Sequence, residues 1–211
     1  MIKLLSVPLI LVFISSCVNP AQLTKESNEK FNNLTSDFVK TCTTVKGLDD
    51  PLTRFLVFNT RNCYQQPRLL TRNDQFLRAY VSKKNKSLQT IQVYNVIYTR
   101  LDGWINPRSG NFLINGKLNS NKGTSIDTDV DCTNSMTPTA LGYISGSCLY
   151  IDHYGFDLPS EIFEEAKRLK ESGKKEFAYK IKTQRGDFDR IFNLEEILGL
   201  QEKIKDTISM L

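Results

Sequence analysis

The sequence predicts an α+β domain, mainly antiparallel β-sheet with two helices toward the C-terminus, a sandwich being one arrangement open to it. Three observations carry that expectation. Apolar residues recur with a period near two in several segments between residues 36 and 192. Turn chemistry at Asp49-Asp50-Pro51, Gln66-Pro67 and Asn106-Pro107 cuts the pattern into strand-sized pieces. Helical spacing with clear start signals is found only after Pro159, which is the order of an α+β chain.

The chain opens with Met1-Ile2-Lys3, an apolar run from Leu4 to Ile14, and Ser15-Ser16-Cys17. A charged start, a short apolar centre and a small-residue exit make an export signal, too short to span a bilayer as a helix. The tetrapeptide Ile14-Ser15-Ser16-Cys17 resembles the lipobox of bacterial lipoproteins, whose commonest form has Leu where this chain has Ile. The resemblance is confined to these first positions. It implies a diacylglyceryl group on the Cys17 thiol, removal of residues 1–16, and a further acyl chain on the new amine. Buried methylenes are worth about 0.8 kcal/mol each, so two or three chains make attachment effectively permanent. The implied partner is therefore the lipid bilayer, through acylated Cys17. Val18 stands where an aspartate often signals inner-membrane retention in this class, so the resemblance implies the outer membrane, with the side left open. Plain secretion, with cleavage at the same small residues, is the competing reading.

Residues 17–35 are rich in Asn, Lys, Glu, Ser and Thr and read as a polar tether, part of which, near Glu29 to Phe38, can dock as a short helix. Removing sixteen of 211 residues leaves 195, and residues 36–211 read as one domain. The mature balance of 27 basic against 23 acidic side chains is mildly positive. In a bacterial envelope that favours lipid phosphates or an anionic glycolipid over nucleic acid, which is not expected as a partner.

Four cysteines remain once Cys17 is set aside, an even number in an exported chain, and they read as two disulfides. Of the three pairings, Cys42-Cys63 and Cys132-Cys148 close the shortest loops. Zinc finds little support, because there is no Cys-x-x-Cys and His153 is the sole histidine. No metal and no cofactor is expected.

Strands are expected over 37–45, 54–60 and 75–82. Residues 88–101 read as a central strand, since Ile91, Val93 and Ile97 are apolar on one side and Tyr94, Val96 and Tyr98 on the other. Asp102-Gly103 breaks it, and Trp104 in the break is expected to fold onto the core. Runs at 112–118 and 124–132 should form a hairpin, and 135–147 a loop pinched by Cys132-Cys148. Residues 149–158 alternate until Pro159 stops them. A helix follows with Ser160 as cap and Ile162, Phe163, Ala166 and Leu169 as its apolar stripe. Residues 176–183 and a partner ending at Phe192 flank a turn at Gln184-Arg185-Gly186-Asp187. Asn193-Leu194-Glu195-Glu196 resembles a capping box opening the last helix.

Asp127, Asp129 and Asp131 mimic the start of a calcium loop, but Cys132 and Pro138 occupy the positions that need Gly and Glu, and alternation with Ile126, Thr128 and Val130 reads as the wet face of a strand. His153, between Asp152 and Tyr154 and near Ser145 and Ser147, lacks a Gly-x-Ser-x-Gly elbow and reads as a packed or surface histidine. Arg185-Gly186-Asp187 needs only a turn to explain it.

The richest functional signal lies between residues 54 and 86, where Arg54, Arg61, Arg68, Arg72, Arg78, Lys83, Lys84 and Lys86 face the single acid Asp74. Phe55, Phe58, Tyr64, Phe76 and Tyr80 are interleaved. Guanidinium forks suit anions and aromatic rings stack on sugars, so the five arginines are the candidate anionic-ligand residues; the alternative is that they are solvated faces of strands whose other sides are core, balanced by the acids near Asp127 or Glu161. The expectation is a non-enzymatic envelope lipoprotein with a binding or interaction surface, for an envelope protein or an anionic glycolipid. A periplasmic hydrolase, and a carrier or sensor of an anionic envelope molecule, are the alternatives.

Overall fold

The structure, a computed structural model, describes residues 29, 31–63, 74–99, 104–132, 136–139, 142–145 and 148–211, with backbone alone at 74, 136–139 and 142–145. The segment expected to be an export signal, Cys17, most of the expected tether, Arg68, Arg72, Tyr64, Ser147 and the turns at Gln66-Pro67 and Asp102-Gly103 lie outside the described residues.

The first element corrects the sequence reading. Residues 37–45 resemble a strand because Phe38, Val39, Thr41 and Thr43 to Val45 are β-branched or aromatic, yet Ser36–Cys42 is a helix, α1. Thr35 caps it, its hydroxyl accepting from Phe38 N at 3.2 Å, and Val39 is fully buried against the last helix. Cap and burial override local propensity. Only Thr44–Lys46, β1, is extended, and the described chain has three helices rather than two. Residues 31–35, polar in composition, are docked: Leu34 is buried, and the carbonyl of Phe31 accepts from the Asn193 amide.

The strands β2 (Phe55–Asn59), β3 (Asp74–Ser82), β4 (Leu88–Thr99) and β9 (Leu149–Leu158) fall where alternation and turns place them. The expected run at 112–118 is divided, because Asn115-Gly116 is itself the hairpin turn, with φ of 52° and 72°. It joins β5 (Pro107–Ile114) to β6 (Lys117–Asp131). Within the expected loop at 135–147 a small hairpin forms from β7 (Met136–Thr139) and β8 (Gly142–Ser145). Both local disulfides, Cys42 with Cys63 and Cys132 with Cys148, are formed.

Helix α2 (Ile162–Glu171) starts one residue later than the sequence suggests, with Glu161 at the cap and the Ser160 hydroxyl turned to its carboxylate. Its apolar stripe is buried as a unit. After β10 (Glu176–Thr183) and β11 (Gly186–Asn193) comes α3, Leu194–Ser209. Asn193 accepts from Glu195 N at 2.9 Å, but Glu196 does not close the box: its carboxylate takes the Thr60 hydroxyl at 2.6 Å instead. No helix among the described residues is long and apolar enough to cross a membrane.

Nine strands form one open antiparallel sheet in the order β1-β2-β3-β4-β9-β6-β5-β10-β11. Among the described residues it is one sheet, because the long β6 pairs with β5 through Lys117–Lys122 and with β9 through Gly123–Asp131. The sheet curls at that shared strand. A Cβ on Gly123 would lie 1.8 Å from the Tyr154 hydroxyl, so only glycine lets the two strands close to this distance. The curl brings the start of β3 against β11, where the Gln75 side chain donates to the Ile191 carbonyl and Tyr179 Oη reaches Gln75 Oε1 at 3.0 Å and Asn95 Oδ1 at 2.7 Å. No backbone ladder joins β3 to β11. The inner face and the stripes of α2 and α3 make the main core, with Phe112, Phe156, Phe177, Tyr179 and Phe192 at its centre. Trp104 is half-buried, edge-on to Tyr150 at 5.0 Å.

Candidate functional site

Side chains alternate across a strand, so each residue facing the core leaves its neighbours on the outer face. On β3 these are Phe76 and Arg78, on β4 Tyr94, Val96 and Tyr98, and on β9 Ile151 and His153. They form a second cluster, separate from the main core, built on Phe76, Tyr94 and Val96 with Tyr98 and Ile151 packed against it. The expectation that β4 is covered on both sides is thereby met.

The cluster carries cations on aromatic faces. Phe76 and Tyr94 stack at 4.5 Å between centroids and 20° between planes. The Arg78 guanidinium lies 4.5 Å from the Tyr94 centroid and 5.2 Å from that of Phe76, and Arg61 lies 5.6 Å from Phe76. Phe76 is 1 % and Tyr94 8 % exposed, while Arg61 is open to solvent. Each such contact is worth about 0.5–1 kcal/mol at an exposed site. A guanidinium lying flat on a ring keeps its N–H bonds in the ring-parallel plane, where they can meet an incoming anion. Arg78 makes no ion pair among the described residues.

Of the five expected arginines, the structure brings Arg61 and Arg78 together. Arg54 is exposed at the other end of β2, about 16 Å from Asn59 by strand rise, and Asn59 is the register partner of Arg78. Among the described interleaved aromatics only Phe76 joins the stack, since Phe58 belongs to the main core and Phe55 and Tyr80 lie further along the sheet.

Sequence reasoning did not join Tyr94 and His153 to this site. Tyr94 Oη and His153 Nδ1 are 2.9 Å apart, and the two rings meet edge to face. The pairing of β3 with β4 and of β4 with β9 makes them neighbours of Arg78, and the alternation of 88–99 was the one sequence signal that put Tyr94 on this face. Across β9, His153 pairs with Asp127 and Ile151 with Asp129, so the two exposed aspartates continue the same face. Each aspartate also accepts from the backbone N–H that follows it. The face thus runs from guanidinium through stacked rings and imidazole to carboxylate. Successive aspartates stand about 7 Å apart along one strand, and no three of His, Cys, Asp and Glu among the described residues are placed to hold a metal.

The inner side of the same strands is chemically different. Asp152, next to His153, is buried; desolvation pushes its carboxyl above the usual range, and its Oδ2 meets no donor. Burial likewise raises the hydroxyls of Tyr154 and Tyr179 well above the ordinary tyrosine value. Two open grooves lie elsewhere, against the helices. One, about 260 Å³, is lined by Leu34, Lys170, Lys174, Lys175 and Glu195; the other, about 400 Å³, by Lys167, Lys170, Glu202 and Lys205. Neither includes His153 or the arginines of the outer face.

Compared with known protein families, with curated proteins and with solved structures, the chain has no significant match. The geometry of this face is therefore the basis for a functional reading.

Proposed function

We propose that the chain is an envelope lipoprotein, moored to the outer membrane by acylated Cys17, whose folded domain binds an anionic envelope ligand without chemical turnover. The observation that carries the binding part is the pair Arg61 and Arg78 over the Phe76–Tyr94 stack, an arrangement suited to a phosphate or carboxylate on a sugar or lipid. The envelope part rests on Ile14-Ser15-Ser16-Cys17 and is supported by the two disulfides, which persist in oxidising compartments. The hydrolase reading draws no support from His153, whose ring is engaged by Tyr94 beside the Phe76–Tyr94 stack.

Two measurements test the parts separately. Cys17→Ser should abolish acyl mass and detergent-phase partitioning; unchanged partitioning rejects the anchor. Arg78→Ala in the soluble domain should weaken binding to anionic glycolipid vesicles by about three- to tenfold, the effect fading in high salt. Equal binding by both proteins, or binding indifferent to salt, rejects the face as the binding surface.

A further inference from the structure

Arg190 is an arginine that points inward. It is the register partner of Tyr179 on the core side of the β10–β11 hairpin, its guanidinium 5.5 Å from the Phe188 ring and close enough to Tyr179 for its charge to act on that hydroxyl. Burial pulls it below the ordinary arginine value, yet a guanidinium keeps its proton at any physiological pH. The Asp189 carboxylate acts on it only at longer range, and no carboxylate forms an ion pair with it among the described residues. The adjacent Asp189 sends its side chain to Lys180 at 3.4 Å, and Arg190 takes only the Asp189 carbonyl, through Nη1 at 2.9 Å.

The two nitrogens that meet no acceptor are Nε and Nη2, both sealed from solvent. They are not an arbitrary pair. Nε–H and the neighbouring Nη2–H lie parallel along one edge of the guanidinium, the edge that takes two oxygens of one oxyanion. The protein uses that same edge elsewhere: Arg168 gives Nε to Glu165 Oε2 at 3.0 Å and Nη2 to Oε1. Arg190 presents the identical fork without a protein carboxylate to fill it.

We propose that the seam between β3 and β11 is a second binding site, in which the Nε–Nη2 edge of Arg190 grips both oxygens of a carboxylate or phosphate. Phe188 beside the fork suits an oxyanion carried on an apolar body. Access requires the seam to part, because neither nitrogen touches solvent when it is closed. The seam is built to allow that. Among the described residues side chains hold it, with Gln75 on the Ile191 carbonyl and Tyr179 on Gln75 and Asn95, and no strand ladder there has to break. The site is independent of the outer-face arginines and of the lipid anchor.

The test uses the soluble chain with both disulfides intact, titrated with inorganic phosphate, acetate or octanoate against chloride at matched ionic strength, and followed by thermal unfolding. Wild type should show a saturable rise in Tm with phosphate or with a carboxylate, and the arm that responds identifies the oxyanion. Arg190→Met, verified as folded by circular dichroism, should lose the response, and Arg190→Lys, which keeps the charge but not the fork, should bind at least tenfold more weakly. Gln75→Ala should bind more tightly than wild type, because one clasp on the seam is gone. A wild type indifferent to all three anions, or one whose response Arg190→Met reproduces, overturns the proposal.

Discussion

Arg168 and Arg190 are the same side chain in opposite situations. Arg168 sits on the helical rim, half in water, and its fork closes on Glu165, a carboxylate only 3 % exposed that also accepts from the Asn115 backbone at 3.1 Å. The result is a satisfied pair that ties α2 to the β5–β6 turn. Arg190 stands on a strand with its fork inside the fold and no carboxylate bonded to it among the described residues. A charged donor left buried and unpaired is costly, so the two arginines contrast a filled fork with an open one.

The comparison is broken most forcefully at Arg168. Replacing it with Ala strands the buried Glu165 carboxylate and should lower stability, by less than the loss of a fully buried pair because Arg168 is 52 % exposed. The cost should depend on pH with a defined sign. The Arg168 hydrogen bonds hold Glu165 below the ordinary glutamate value of 4.5, so its contribution is complete above pH 4.5 and is lost as pH falls through the lower folded value. Urea unfolding of both proteins across pH 3 to 7 checks this.

Arg190→Met should go the other way. With no anion added, an apolar isostere removes the unpaired charge and leaves stability unchanged or raised by about 1 kcal/mol. A loss as large as that at Arg168 would show that Arg190 has a structural partner and erase the contrast. The smallest expected effect sharpens the comparison with an acid. Asp152 has one oxygen held by the Ile105 backbone and one, Oδ2, with no donor, and burial raises its carboxyl above the ordinary 3.8. Below pH 3.8 both folded and unfolded forms are protonated and no penalty exists; it grows as pH rises from there and levels off once the folded carboxyl ionises. Asp152→Asn should therefore stabilise the domain by about 1 kcal/mol at neutral pH and by nothing in strong acid, as measured by chemical denaturation at both pH values.

Much of the strand content could be read along the chain, because period-two alternation at 75–82, 88–99, 149–158 and 176–183 reports a face packed on a core wherever that core is. The failures have specific causes. At 36–42 a β-branched sequence forms a helix, since the Thr35 cap and the burial of Val39 outweigh propensity. At 112–118 the Asn-Gly turn is masked in the sequence by Leu113 and Leu118, which continue the apolar run on both sides although both end on the exposed face. The candidate site was half legible. A run of arginines between 54 and 86 signalled anion chemistry, but which of them share a surface depends on strand register, and Tyr94 and His153 enter only through the order β3-β4-β9.

Composition and spacing alone thus determined the cysteine inventory, the strand-rich class and the helical C-terminal end, all of which follow from local chemistry. Tertiary structure alone decided that β6 holds the described strands in one curled sheet, that Arg61 and Arg78 meet over the Phe76 ring, and that the Arg190 fork meets no acceptor among the described residues. The reason is physical: alternation tells which residues share a side of a strand, while pairing between distant strands tells which charges share a neighbourhood, and no local rule encodes that pairing.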